Sequence, residues 1–349
     1  MNIYYKFIRD LLFLLPPETS HYLSLRAISL LQQFHLTSLA GKKVPDDPVE
    51  VMGIRFPNRV GLAAGLDKDA AFINGFAALG FGFIEVGTVT PRAQPGNPKP
   101  RLFRLEAHRA LINRMGFNNH GVDAMARRIE RSGFGGVLGI NIGKNLTTPV
   151  SDALVDYEYC LRVVYPLASY IVVNISSPNT PGLRNLQREE EMNGLLEGLK
   201  MVHGELAASH GRRVPLVVKI APDMSDEEAV QVSRRLMEFE IDGVIVGNTT
   251  VSREAIGPEP YGMEEGGLSG APLFEPSNHI LRVVADEVGG RMAIIGVGGI
   301  MSGEDAARKI SLGADLVQIY TGFIYEGPPL IRDCILKIAS VTGARAGAQ

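Results

Sequence analysis

A serine hydroxyl, Ser177, lies between two side-chain amides, Asn174 and Asn179, directly after the β-branched and aromatic run at residues 170–173. That run is typical of a buried strand, so the polar side chains begin where the strand ends. Two prolines and a glycine in residues 174–182 exclude a helix and favour a shaped loop. Because α/β enzymes place their chemistry on loops at strand ends, these side chains are candidate catalytic groups. A hydroxyl before proline is also common in plain turns, and the residues alone leave that alternative open.

The elements that must position this loop repeat along the chain. Short apolar or glycine-containing runs alternate with helical patterns, at residues 60–64, 83–87, 136–140, 170–175, 216–219, 243–246, 293–296 and 316–320. Eight such alternations over about 300 residues predict an α/β fold, a (β/α)8 TIM barrel, and a doubly wound sheet with a second domain is the alternative. A barrel of this kind carries its chemistry just past the C-terminal ends of its strands.

The residues at those strand ends are mostly asparagine, lysine and glycine, with neither a carboxylate pair nor a histidine. This composition argues against glycosidase chemistry, which needs two carboxylates, and against a histidine-based hydrolase. An asparagine amide offers donors and an acceptor together, so several of them suit a neutral planar ring with alternating C=O and N–H groups. A flavin and a pyrimidine both contain such a ring.

A few strand-end residues determine charge and anion binding. The glycine-rich residues 296–299 and residues 320–322 follow the seventh and eighth runs, where barrels commonly bind phosphate through backbone N–H groups, although a tight turn without a ligand would look the same. Lys219 ends an apolar strand, which is costly unless it faces a polar site or an anion, and beside a flavin it would stabilise the reduced ring. The alternative is a lysine whose charged end reaches solvent. Lys68 lies between two aspartates and could simply pair with them at the surface.

Composition limits the partners. The chain has 349 residues and a net charge of −3, so no nucleic acid or other polyanionic partner is expected. Cys160 and Cys334 are far apart and belong to no disulfide framework or metal-binding pattern. We therefore expect no metal and a reducing compartment.

The first 43 residues carry a net charge of +3, against −6 for the remainder. Apolar residues recur at helical spacing up to Pro16 and Pro17, and the pattern predicts a second helix from just after His21 towards Gly41. The longest strongly apolar run, residues 11–15, is far shorter than the roughly 20 residues that span a bilayer, and no cleavage site of a secretory signal follows it. Two alternatives stay open, a hairpin on a membrane surface and a hairpin packed on its own domain.

Nine stretches of the chain resemble the dihydroorotate dehydrogenases, specifically the membrane-associated, quinone-dependent class 2. They cover nearly the whole chain in one order, at residues 61–68, 85–91, 94–97, 113–118, 139–144, 174–182, 218–222, 267–270 and 295–300. The resemblance implies a (β/α)8 barrel that binds one FMN per chain. It also implies oxidation of (S)-dihydroorotate to orotate in de novo pyrimidine (UMP) biosynthesis, with a membrane quinone as electron acceptor.

The resemblance further implies a domain division and a location. Residues 1–43 would form a short N-terminal α-helical hairpin that admits the quinone and lies on an anionic membrane surface, and residues 44–349 would form the FMN-binding barrel. The protein would be peripheral, on the cytoplasmic side of a bacterial cell membrane, with no required protein partner.

Matching positions in the family imply residue roles. The residues that resemble FMN contacts are Ala64, Gly65, Leu66, Asp67, Lys68, Thr88, Asn141, Asn174, Lys219, Gly247, Gly270, Gly299, Tyr320 and Thr321. Those that resemble substrate contacts are Lys68, Asn113, Arg114, Met115, Gly116, Phe117, Asn174, Asn179, Asn248 and Thr249. His21 and Arg104 match positions near the quinone, although His21 alone would pass as a residue at the start of a helix.

By resemblance, Ser177 is the catalytic base. Serine is a weak base unless another group removes its proton, and residues 174–182 contain no histidine, so we hypothesise a relay through Thr180 or an ordered water. Two positions depart from the family pattern. Gly247 replaces a common threonine, which restricts any flavin contact there to the backbone, and Thr321 replaces a frequent serine but keeps the hydroxyl.

Two other functions stay open at this point. A cytosolic class 1 enzyme would resemble this chain but would carry cysteine as the base and lack the N-terminal hairpin. A flavin-binding or nucleotide-binding module without catalysis would share the barrel alone.

Overall fold

The computed structural model describes residues 3–34, 36, 44–256 and 260–346. The predicted boundary between hairpin and barrel, at residues 43 and 44, falls on or beside positions outside these ranges. The second helix, predicted to run towards Gly41, ends at Gln33, so its predicted extent is wrong.

The described residues form short strands and mostly longer helices. Strands β1 to β13 are Val49–Val51, Ile54–Phe56, Val60–Leu62, Phe83–Val89, Leu102–Leu105, Ala110–Asn113, Leu138–Ile142, Tyr170–Asn174, Leu216–Ile220, Gly243–Val246, Gly267–Gly270, Ala293–Val297 and Leu316–Ile319. Helices α1 to α11 are Ile3–Phe13, Pro17–Gln33, Ile73–Ala77, Val122–Ser132, Ala153–Val164, Glu189–His210, Asp226–Glu238, Phe274–Val288, Gly303–Ser311, Thr321–Glu326 and Pro329–Ala346.

Eight parallel strands close into a barrel, in the order β3, β4, β7, β8, β9, β10, β12, β13 and back to β3. Each of them coincides with one of the eight apolar runs in the sequence, so the predicted (β/α)8 barrel is confirmed and the doubly wound sheet is excluded. Strand β7 begins at Leu138, two residues later than the run, because Leu138 is its first residue to pair with β4, opposite Ile84.

Aromatic side chains fill the N-terminal end of the barrel. Phe56, from the two-stranded sheet β1-β2, contacts Phe83 edge to face with ring centroids 5.2 Å apart, and Phe83 contacts Tyr170 at 6.3 Å. Phe83 and Tyr170 are the first residues of β4 and β8. A larger second core packs the outer faces of the strands against the helices. The polar side chains of the barrel therefore lie mainly at its opposite end, at the C-terminal ends of the strands.

A three-stranded antiparallel sheet, β5-β6-β11, was absent from the sequence prediction. Each strand has only four residues, too few to show a clear period. Its register sets Asn113, the last residue of β6, opposite Gly267 at the start of β11. This sheet brings residues from two separate segments to the C-terminal end of the barrel.

Helices α1 and α2 form the N-terminal hairpin and pack on the barrel. Helix α2 begins at Pro17, in the first turn, where the missing N–H of proline costs nothing. The prediction that the second helix starts after His21 is therefore wrong, and His21 lies within α2. The Tyr5 hydroxyl donates to the Ile324 carbonyl at 2.9 Å, and Leu25 is buried. Among the described residues no helix is long and apolar enough to cross a membrane.

Candidate active site

A cavity of about 1020 Å³, solvent at its mouth included, opens at the C-terminal ends of the barrel strands. Residues that follow β3, β8, β10, β12 and β13 line it, together with Thr88 of β4, Lys219 of β9 and residues of β6 and β11. Asn174 lies opposite Lys219 in the pairing of β8 with β9, which sets an amide beside an ammonium at the base of the cavity. The cavity is where the fold predicts chemistry.

A buried carboxylate, Glu85, anchors the polar groups beneath this cavity. Asn141 donates to Glu85 at 2.8 Å, and the hydroxyl of Tyr170 and the amide of Gln318 also donate to it. Thr88 then donates to Asn141 at 2.5 Å, and the Asn174 amide donates to Thr88 at 2.8 Å. Hydrogen bonds to an ionised acceptor are the strong ones, so the charge fixes the orientation of this chain of amides.

The loop after β8 continues the chain of hydrogen bonds. The Ser176 hydroxyl donates to Asn174 at 2.8 Å and accepts from the Asn248 amide at 2.7 Å, so the ends of β8 and β10 are joined through one hydroxyl. Ser177 is 6% exposed and faces the cavity, and its hydroxyl oxygen accepts the backbone N–H of Asn179 at 3.2 Å. The Ser177 hydroxyl therefore stabilises a turn and also lies in the cavity lining, so the two interpretations from the sequence are compatible.

Further side-chain amides line the same cavity as Ser177. The Asn179 amide donates to Asn113 at 3.2 Å, and Asn248 accepts the backbone N–H of Thr249 at 2.8 Å. The buried Thr249 hydroxyl has no hydrogen-bond partner in the part of the chain that the structure describes. A buried hydroxyl that lines a cavity without a partner fits a ligand that would supply one.

Arg184 ties three strand-end loops together. Its guanidinium donates to the Ser176 carbonyl at 3.0 Å and to the Thr249 carbonyl at 2.9 Å, and it pairs with Asp223 at 2.7 Å. Asp223 also accepts the backbone N–H of Val251 at 3.0 Å. The loops after β8, β9 and β10 are thus held in one arrangement by a single ion pair.

Two lysines give the cavity its positive charge, and among its described lining residues there is no carboxylate and no imidazole. Lys219 is buried, and burial lowers the pKa of its ammonium while the charge of Glu85 partly raises it. The alternative in which Lys219 reaches solvent is therefore wrong. Such a cavity favours anionic ligands.

Lys68 does not pair with the two aspartates that flank it. Asp67 accepts the backbone N–H groups of Ala71 and Phe72 at 2.8 and 2.7 Å, and Asp69 accepts from His120 at 2.7 Å. Burial, with the charge of Arg101 added, lowers the pKa of Lys68 to about 8. The surface pair considered from the sequence is therefore not formed, and the ammonium faces the cavity.

The loops after β12 and β13 form a glycine cradle. Gly298 and Gly299 have φ angles of +107° and +73°, and a Cβ on Gly299 would lie 2.3 Å from the Phe274 backbone. Backbone without side chains is what allows close approach of a phosphate. Gly247 has a φ of +114°, a conformation that glycine adopts readily and threonine rarely. The glycine that replaces the family's common threonine therefore suits the backbone here.

A second cavity of about 980 Å³ lies between the hairpin and the barrel. Its lining is mostly apolar, and it shares Lys68, Asn113, Met115, Ser269 and Tyr320 with the first cavity. The two cavities therefore adjoin across a wall of side chains that belong to both.

Two of the predicted residues, His21 and Arg104, contribute polar groups to the second cavity. His21 lines it, and burial, with the charge of Lys68 added, lowers the pKa of the imidazole to about 3. The Arg104 guanidinium donates to the Leu15 carbonyl and lies 4.6 Å from the centroid of the Phe13 ring. An imidazole that stays neutral can donate or accept a hydrogen bond without placing a charge in an apolar cavity.

Most of the predicted site residues line one of the two cavities. The first cavity contains Ala64, Gly65, Lys68, Thr88, Asn113, Met115, Gly116, Phe117, Asn174, Ser177, Asn179, Lys219, Asn248, Thr249, Gly270, Gly299, Tyr320 and Thr321. The second contains Leu66, His21 and Arg104.

Five predicted residues lie behind the cavity walls. Asn141 supports Thr88 from below, and Asp67 caps the backbone that follows it. Arg114 pairs with Glu264 at 2.7 Å, and Gly247 lies outside both linings. Thr180 is buried, and the structure gives it no hydrogen bond to Ser177.

Sequence reasoning missed several residues of the site. Glu85 interrupts an apolar strand just as Lys219 does, so the same argument about the cost of buried charge could have found it. Gln318 also lies within an apolar run, and its buried side-chain oxygen has no partner among the described residues. Arg184 and Ser269 carry no comparable signal, because neither interrupts a buried strand of the barrel.

The first cavity fits FMN on four observations. The glycine cradle after β12 and the residues after β13 line the cavity, where backbone N–H groups suit a phosphate, and amides at several strand ends suit a ring that alternates C=O and N–H. Lys219 would lie by the negative charge of a reduced ring, and the unpartnered oxygens of Gln318 and Thr249 leave hydrogen bonds for a ligand to make.

Comparison with known proteins agrees with the geometry. The family described as dihydroorotate dehydrogenase matches residues 48–341. The dihydroorotate dehydrogenase (quinone) of Pseudomonas syringae pv. tomato is 57% identical over 337 residues, 97% of this chain and 98% of that protein. The protein of the same name from Azotobacter vinelandii is 55% identical over 341 residues, 98% of each chain. A crystal structure of DHODH from Eimeria tenella in complex with ferulenol superimposes with a TM-score of 0.84 at 36% identity, covering 95% of this chain and 92% of that one.

Proposed function

The chain belongs to the dihydroorotate dehydrogenase family, and on that premise we propose that it oxidises (S)-dihydroorotate to orotate and passes the electrons through FMN to a membrane quinone. The reaction would serve de novo pyrimidine (UMP) biosynthesis. One observation carries the proposal: a polar, positively charged cavity adjoins an apolar cavity, and the two share wall residues. A polar anionic substrate suits the first cavity and an apolar acceptor suits the second.

Residues of the first cavity would bind and orient the substrate. Lys68 would attract the substrate carboxylate, and the amides of Asn113, Asn179 and Asn248 would meet the C=O and N–H groups of the pyrimidine ring. When bound, FMN supplies a hydride acceptor, which no side chain can provide. Lys219 would balance negative charge that develops on the ring.

Ser177 would remove the substrate proton. Its oxygen accepts the Asn179 N–H, and a donor aimed at that oxygen favours the deprotonated hydroxyl. Two ammonium groups, Lys68 and Lys219, line the same cavity and favour it further. The proton would leave through Thr180 or an ordered water, a relay that we keep as a hypothesis.

A test of this role compares two substitutions at one position. Ser177→Ala is expected to slow reduction of the flavin by substrate about 100-fold to 10,000-fold, the range for loss of a general base, with FMN still bound. Ser177→Cys keeps an ionisable group and should recover part of the rate at high pH. An alanine variant whose flavin is reduced at the unchanged rate would remove Ser177 from the mechanism.

The second cavity would accept the quinone. Its lining is mostly apolar, as a quinone ring and tail require, and neutral His21 and the Arg104 guanidinium could donate to the quinone oxygens. Wall residues common to both cavities keep the acceptor beside the flavin site.

The outer face of the hairpin would lie on the membrane. Phe7 is 74% exposed and Leu14 is 80% exposed, and Leu11, Tyr22 and Phe34 are exposed as well. Exposed apolar side chains on a hairpin segment, residues 1–43, whose net charge is +3 favour an anionic bilayer surface. The protein would then be peripheral, on the cytoplasmic side of the membrane of a bacterial cell, without a required protein partner.

Two experiments separate this function from the alternatives. Anaerobic dihydroorotate should bleach the flavin absorbance, which a module without catalysis would not do. The reduced protein should then be reoxidised by a quinone and not by fumarate or NAD. Reoxidation by fumarate or NAD with no response to quinone would favour a class 1 enzyme.

A further inference from the structure

A fully buried lysine, Lys309, lies behind the glycine cradle and has no part in the function described above. Its ammonium donates to the Ser277 hydroxyl at 2.8 Å and to the Asn278 side-chain oxygen at 2.9 Å, and it lies 5.6 Å from the centroid of the Phe274 ring. In the described part of the chain none of its hydrogen-bond partners is a carboxylate. Burial lowers the pKa of this ammonium to about 7, with Asp305 and Glu275 opposing the shift.

A buried charge without a charged partner is costly, which makes the position of Lys309 informative. Its side chain belongs to α9 and lies against the end of β12, where a Cβ on Gly296 would be 3.3 Å from the lysine Cδ. A methionine or leucine would fill the same space without that cost. Beyond the charges of Asp305 and Glu275, an anion bound near the cradle would offset that cost.

Hydrogen bonds connect the ammonium with the cradle. The Ser277 hydroxyl, which accepts from Lys309, can donate to the Gly298 carbonyl at 3.1 Å or to the Phe274 carbonyl at 2.9 Å. The Gly298 carbonyl and the Gly299 N–H belong to one peptide group, and both glycines line the first cavity. Polarising that carbonyl makes the N–H of the same peptide a stronger donor.

We propose that Lys309 is a specificity-determining residue that favours a phosphorylated flavin, by acting through Ser277 on the peptide between Gly298 and Gly299. The inference rests on the proposed function, because it concerns the FMN phosphate. A phosphate monoester carries about −1.5 to −2 charges at neutral pH, and riboflavin carries none there. Lys309 is a positioning residue, since no contact of its own with the ligand is required.

The test compares the binding of FMN and of riboflavin to the full-length chain stripped of flavin, measured by quenching of flavin fluorescence. Lys309→Met keeps the length of the side chain and removes the charge. We expect the FMN dissociation constant to rise about 10-fold to 100-fold, the value of one hydrogen bond to a charged group, and the riboflavin constant to stay the same. Lys337→Met, at an exposed lysine of the neighbouring helix α11, should change neither.

A structural role would give a different result. If Lys309→Met weakens FMN and riboflavin by the same factor, or weakens neither, the inference is overturned. Should that variant fail to fold, Ser277→Ala provides the second test, because it interrupts the connection and should weaken FMN selectively. A parent chain that binds neither flavin would overturn the proposed function itself, and this inference with it.

Discussion

Replacement of Glu85 by glutamine should destabilise the protein more than any ion-pair change at its surface. Glu85 is completely buried, and its contacts with Asn141, Tyr170 and Gln318 are all donors to it, as an ionised carboxylate requires. Glutamine has one acceptor oxygen and a donating NH₂ group. At least one of the neighbouring amides would then face another donor, and Lys219 would lose the charge that opposes its burial.

The magnitude follows from those losses. Removing one of two interacting buried charges lowers the free energy of unfolding by about 3 to 5 kcal/mol, because the other charge, here that of Lys219, stays buried without compensation. In a domain of this size each kcal/mol lowers Tm by roughly 2 °C. We therefore expect Glu85→Gln to lower the Tm of the FMN-loaded protein by about 6 to 10 °C. The flavin absorbance band should also shift, since the amides of Asn141 and Asn174 lose their anchor.

Thermal unfolding followed by circular dichroism measures this change. Glu205→Gln is the matched control, because Glu205 pairs with Arg162 on the surface, where its side chain is 60% exposed, and no measurable shift is expected there. If Glu85→Gln unfolds at the same temperature as the parent, the hydrogen bonds beneath the cavity do not stabilise the fold as argued.

Three further changes test separate parts of the site. With Lys68 present, kcat/KM for dihydroorotate should be constant at neutral pH and fall above about pH 8, because the ammonium is charged below its lowered pKa and loses the proton above it. Lys68→Arg should move that fall to higher pH, and an unchanged pH profile in this variant would exclude Lys68 as the titrating group. Arg184→Met should slow flavin reduction by about 10-fold to 100-fold, because the carbonyls of Ser176 and Thr249 lose their shared donor, while Tm changes little; an unaltered rate in stopped-flow measurements would contradict the positioning role. Leu14→Glu, at a side chain that is 80% exposed, should weaken binding to anionic vesicles in sedimentation assays and spare turnover with a water-soluble quinone, and undiminished vesicle binding would place the membrane face elsewhere.

The barrel could be predicted from the sequence because its strands are short, buried and regularly spaced. Each of the eight apolar runs ends in, or is directly followed by, glycine or a polar residue, which separates it from the helix that follows. The sheet β5-β6-β11 could not be predicted in the same way, since its strands have only four residues each and β6 pairs with β11 across more than 150 positions of the chain, as Asn113 does with Gly267. Such pairing depends on the finished barrel to bring the segments together.

The site was predictable where a residue's chemistry conflicts with its local environment. Lys219 in an apolar strand and Ser177 on a stiff loop both show that conflict, and Glu85 shows it equally. Arg184 does not, because an arginine after a loop is ordinary in sequence and gains its role only from the carbonyls that the fold brings around it. The start of α2 was misplaced because proline was taken only as a stop, although it also favours the first turn of a helix.

The two half-reactions would take place in two adjoining cavities, and double-mixing stopped-flow spectroscopy tests that division most directly. The protein is first mixed anaerobically with dihydroorotate and then with a quinone, while the flavin absorbance is recorded. Ser177→Ala should be slow in the first mix and, once reduced chemically, normal in the second. A chain that lacks residues 1–40 should be normal in the first and fail in the second. If both variants lose both steps together, the two cavities do not act separately, and the division of the half-reactions between them is contradicted.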